Sequence, residues 1–217
     1  RVTAVAGDDD FFLSAFSIGA YGPAVTLYRV AAAGSDFSAV LTLDGTTVGD
    51  VGEPVSAAGL AFQQGSGLLH AYIGMKKLTG TGSRVRRVVI NGSTFEFVGS
   101  GSVVSESYWD VSPYNYPVAF TLGSLPAVAW IKEDQTIGLD GGGLQQEETL
   151  SADTQAMALA PVATDDEQAA VIYGTSDGVF VERPGVAPVQ VDECQSASGG
   201  YLSFGSSFTT VPGFWLA

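Results

Sequence analysis

A chain of 217 residues, 46% of them hydrophobic, can bury a sizeable core, and its formal net charge of −14 excludes a surface built to hold phosphate backbones or anionic lipid. The single cysteine, Cys194, excludes an intrachain disulfide and a thiolate metal cluster, and beside Asp192 and Glu193 it reads as an inert thiol. No continuous apolar run is long enough for a membrane-spanning helix, so no membrane insertion is expected.

Twenty-eight glycines and nine prolines break the sequence into short apolar runs, the pattern of strands joined by turns. The first group opens with "VAGDDDFFLSAF" (5–16), two apolar segments around Asp8, Asp9 and Asp10, followed by "AVTLYRV" (24–30) and "FSAVLTL" (37–43). The second is "LAFQQGSGLLHAY" (60–72), then "RVRRVVI" (84–90) and "STFEFVG" (93–99), joined by Asn91-Gly92, a strong hairpin signal. The third is "VAFTLGSLPAVAW" (118–130), then "QTIGL" (135–139) and "LQQEETL" (144–150); residues 144–160 are also an ambiguous helix candidate. The fourth is "VATDDEQAAVIY" (162–173), with Asp165, Asp166 and Glu167 in its turn, then "GVFVE" (178–182) and "APVQV" (187–191). A fifth, looser line, "FGSSFTTVPGFW" (204–215), has no strands after it.

The lines end on Phe16, Tyr72, Trp130, Tyr173 and Trp215, which lie 56, 58, 43 and 42 residues apart, near the size of a four-stranded propeller blade. In an all-β propeller the small residues of the first strand let backbones converge at the centre, and aromatics on the second fill the wedge between blades. On this spacing and residue type the chain resembles the β-propeller superfamily, in the manner of secreted bacterial propellers with degenerate blades. No subfamily signature accompanies it: Trp109-Asp110 is the one Trp-Asp pair, and "TSDGVF" (175–180) is a single distorted sialidase-type box. The expected blades are approximately 1–45, 55–100, 115–150 and 155–192, with a partial fifth over 200–217. A β-sandwich with regular turns is the competing fold.

An incomplete fifth blade would leave an interface at Phe214, Trp215 and Leu216, to be completed by a second chain or by a removed segment of the same precursor. A complete protein with an unusual closure is the competing expectation. The start at Arg1, without a signal-peptide pattern, suggests a processed or trimmed product, expected to be secreted or at a cell surface.

Candidate sites are few. His70 is the one histidine and reads as structural. Strand alternation puts Arg84 and Arg86 on one face and Arg87 on the other, so the first two could clamp a carboxylate or phosphate, or pair with acids of a neighbouring blade. "SYWDVSPYNYP" (107–117) gathers Tyr108, Trp109, Tyr114 and Tyr116, side chains suited to stacking on a sugar or a protein partner, in a loop expected near one mouth of the disc. No cofactor is expected apart from calcium, for which Asp8–Asp10 and Asp165–Glu167 are the candidate ligands. The matching turns at 63–67 and 121–125 carry no acid, so the triplets read first as repeat punctuation. The expected function is a non-catalytic binding or assembly module with a protein partner and no nucleic acid. A glycan-binding or glycoside-cleaving propeller is the alternative.

Overall fold

The computed structural model describes residues 2–20, 22–31, 36–110, 116–150, 158–163, 168–175 and 177–192. Every regular element among them is a strand, and the strands form four antiparallel sheets in chain order. The first sheet is β1 (Val2–Ala6), β2 (Asp10–Gly19), β3 (Gly22–Ala31) and β4 (Phe37–Leu43). In the second, β5 (Glu53–Pro54) and β6 (Gly59–Gln63) pair successively along the same strand, β7 (Leu68–Lys76). That sheet continues through β8 (Ser83–Asn91) and β9 (Ser102–Tyr108). The third holds β10 (Val118–Leu122), β11 (Leu125–Ile131), β12 (Ile137–Gly141) and β13 (Glu148–Leu150). The fourth holds β14 (Ala158–Ala163), β15 (Ala169–Thr175), β16 (Gly178–Glu182) and β17 (Val189–Asp192).

Each sheet is an up-and-down meander, and the leading strands touch in succession: β1 against β6, β6 against β10, β10 against β14. This is β-propeller architecture, with the first strand of each blade innermost. Among the described residues β14 makes no comparably close contact with β1, so the four blades form an arc. The expected fifth blade, with Phe214, Trp215 and Leu216, lies outside the described residues.

Alternation on the second strand of each blade builds the cores between blades, because successive side chains point to opposite faces. Leu69, Ala71, Ile73 and Met75 of β7 join Phe12, Val25, Leu27 and Leu43 between the first and second blades. Tyr72, on the opposite face, joins Val128 and Trp130 between the second and third. Ala129 and Ile131 then meet Val171 and Tyr173 between the third and fourth. The four aromatics therefore do fill wedges but are not equivalent: Phe16 and Tyr72 face the following blade, Trp130 and Tyr173 the preceding one.

Glycine works where backbones or rings must approach. A Cβ on Gly59 would stand 2.1 Å from the Pro117 carbonyl oxygen, so the inner strands β6 and β10 can meet only without one. Cross-strand from Trp130, Gly138 leaves room for the indole, whose Nε1 donates to the Ser107 carbonyl at 3.0 Å and ties the second blade to the third.

One strand differs from expectation. The fourth strand of the second blade is β9, not 93–99. Asn91 does turn the chain, its Oδ1 accepting from the backbone N–H of Ser93 and Thr94, but Phe95 adopts φ 58° and only an isolated bridge, Ile90 with Phe97, follows. Pairing restarts after Gly99 and Gly101. Within the helix candidate over 144–160, Glu148–Leu150 form β13 and Ala158 opens β14, while 151–157 lie outside the described residues.

Candidate functional site

The arginines find their partner inside the chain. Asp50, in the connection between the first two blades, is fully buried at its side chain and accepts from Arg84 Nη2 at 2.7 Å and from Arg86 Nη1 at 3.2 Å. Its Oδ1 also accepts from the Gly52 amide at 2.8 Å, and Arg86 Nη2 donates to the Gly101 carbonyl at 3.1 Å. Two guanidinium groups thus neutralise one buried carboxylate and pin the connection to β8, with Glu106 adding a longer contact to Arg84 at 3.8 Å. Asp50 is thus an acid with which both arginines pair, the alternative that stood beside a ligand clamp. A shallow depression of about 340 Å³ lies beside Arg86, lined also by Thr46, Val48, Phe97 and Gly101.

The aromatic segment does not act as one platform. Tyr108 ends β9 fully buried, its ring over Gly74 and its hydroxyl 3.3 Å from Ser56 Oγ, so its ring packs inside the protein rather than standing in solvent. Trp109 turns the other way, packing half-buried against the core between the third and fourth blades, with its backbone N–H donating to the Ile131 carbonyl at 2.9 Å. Tyr116 is half-buried before β10, and Tyr114 lies outside the described residues.

His70 sits on the third-blade side of β7 and is buried, with neither ring nitrogen hydrogen-bonded. Burial, with the Arg87 cation nearby, pushes its pKa down to about 4, so the imidazole is neutral at pH 7. Tyr72 beside it is pushed up to about 12 by the same burial. This arrangement holds no aligned base for a nucleophile; the structural role expected of His70 fits its surroundings.

Asp8 and Asp9 lie in the turn between β1 and β2, and Asp10 opens β2. Asp10 is engaged by Arg29, at 2.6 Å from both Nε and Nη2, while Asp8 and Asp9 are exposed. Among the described residues no three acids, histidines or cysteines gather as a metal site; Asp165, Asp166 and Glu167 lie outside them.

Sequence reasoning did not single out the face of the first blade that points away from the second. The β1–β2 register, Ala6 with Phe11 to Val2 with Ala15, sends Phe12, Ser14 and Phe16 inward and Phe11, Leu13 and Ala15 outward. The partners Val30 and Tyr28 on β3, and Phe37 on β4, continue the outward face. Phe37 stacks on Tyr28 at 4.8 Å between ring centroids. Val2 is 60% exposed, Phe11 47% and Phe37 63%. This is an apolar sheet face of the type that the other blades cover with a neighbour. The signal was present as alternation within "DFFLSAF", which places one phenylalanine on each face.

No family model matches the chain, and no curated protein matches it. Among solved structures, a Hadza microbial sialidase, Hz136, is similar over 88% of this chain and 46% of its own, with a TM-score of 0.58 at 7% identity. That likeness shows the fold alone, a β-propeller type, and the chain spans less than half the length of that structure.

Proposed function

We propose that this chain is a non-catalytic binding and assembly module of an exported protein, a propeller arc whose first blade docks against another protein. The observation that carries this is the outward face of the first blade, where Val2, Phe11 and Phe37 present a contiguous apolar sheet surface to solvent. Apolar patches of this kind mark interaction sites, since leaving them wet forfeits roughly 25 cal/mol for each Å² that could be buried. Native mass of the protein purified from its source under non-denaturing conditions, with any partner retained, tests the reading. The protein should run above its 22.4 kDa chain mass, and Phe11→Ser with Phe37→Ser should return it to that mass with little change in Tm. A wild-type protein that is monomeric, and no more prone to association than the double variant, would refute it.

A second reading, a carbohydrate-active propeller, draws support from the sialidase likeness and from a depression of about 520 Å³ lined by Arg29, Asp36 and Phe37. It requires binding or turnover on a glycan panel that is lost on Asp36→Asn.

A further inference from the structure

The outward face has an acidic border at one end. Asp8 and Asp9 in the β1–β2 turn, and Asp36 at the start of the return from β3 to β4, are exposed at the same end of the blade, beyond Phe11 and Phe37. Asp10 at that end is already matched by Arg29, so the rim keeps three unmatched negative charges among its described residues. The face itself, from Val2 through Leu13 and Tyr28 to Phe37, carries no charged side chain.

The three interfaces inside the arc show what covers such a face. In each, a blade's apolar second strand packs on the opposite face of its neighbour's sheet. A second copy of this chain is a poor occupant. Two chains of net charge −14 repel.

We infer that the outward face of the first blade receives the apolar face of a further four-stranded blade, carried by a second polypeptide that sets lysines opposite Asp8, Asp9 and Asp36. The inference rests on the assembly reading above and names its partner. The apolar faces supply the buried area, and the basic border fixes which end of the incoming blade meets the acidic rim and speeds its encounter.

Zero-length carbodiimide cross-linking of the protein, purified from its source under native conditions, tests this, with the linked peptides identified by mass spectrometry. Asp8, Asp9 or Asp36 should link to lysines of a different polypeptide, within a segment that reads as short alternating strands. Phe11→Ser with Phe37→Ser should abolish the links at unchanged Tm, while neutralising the three acids to Asn should weaken the association several-fold and flatten its salt dependence. Links only to Lys76, Lys77 or Lys132 of another copy would overturn the partner and leave the assembly reading standing. Links to a segment continuous with this chain would overturn the separate polypeptide. Links unaffected by the phenylalanine variant, or a wild-type monomer with none, would overturn both readings.

Discussion

At the scale of single residues the arc is held by a few polar contacts that burial makes costly to break. Asp50 is the clearest, because removing its carboxylate strands the Arg84 and Arg86 guanidinium groups with little water to replace it. Breaking a buried pair from one side costs about 3–5 kcal/mol, so Asp50→Ala should lower stability by that order in denaturant titration, far more than an exposed acid such as Asp9 changed to Ala. His70 makes a pH-dependent contribution of opposite origin. Its folded pKa of about 4 lies below its ordinary 6.5, so between those values the unfolded chain holds a proton that the folded one refuses. Stability is therefore untouched above pH 6.5 and falls as pH drops toward 4, by up to roughly 3 kcal/mol at about 1.4 kcal/mol per pH unit. His70→Leu should remove that part of the slope; an unchanged difference between pH 7 and pH 4 would mean that the imidazole is solvated.

At the scale of elements, strands whose hydrophobic pattern and turn chemistry agree were legible from residue order alone. "FSAVLTL" and "GVFVE" coincide with β4 and β16, and the turns at Gly65, Gly67 and Gly123 have the positive φ that their glycines suggested. The second blade's outer strand was misread because Asn91-Gly92 promises a tight hairpin, and the failure lies one residue type further on, where Phe95 turns left-handed to pack its ring against Phe12. Long-range packing won over local propensity there. Face assignment was only half legible: alternation sorts side chains into two sets, but which set meets which neighbour depends on the direction in which the blades are wound. That is why Trp130 and Tyr72, alike in the repeat, come from opposite sides of one wedge. The close fit of that wedge is testable. Gly138→Val would drive a Cβ to 2.3 Å from the Trp130 ring and should cost about 1–3 kcal/mol or more, whereas Gly19→Val, with nothing near its Cβ, should cost far less.

At the scale of the whole molecule, the four described blades share three cores, and the outward face of the first is exposed. Repeat spacing made the blades visible, and the idea of an unfinished ring came from the far end of the sequence, at Phe214 to Leu216. The structure moves the strongest observation to the first blade, a place the sequence marked only by two adjacent phenylalanines. It also gives the opening acids a second part to play: Asp10 locks the first hairpin to Arg29, and Asp8 and Asp9 border the free face. Those same two phenylalanines provide the most direct test. Hydroxyl-radical footprinting read by mass spectrometry should label Phe11 and Phe37 strongly and Phe12, which is 3% exposed, hardly at all in the isolated chain. In the native assembly Phe11 and Phe37 should become as protected as Phe12. Equal labelling of Phe11 and Phe12 would contradict the strand register, and labelling of Phe11 and Phe37 that survives in the native assembly would contradict the docking face.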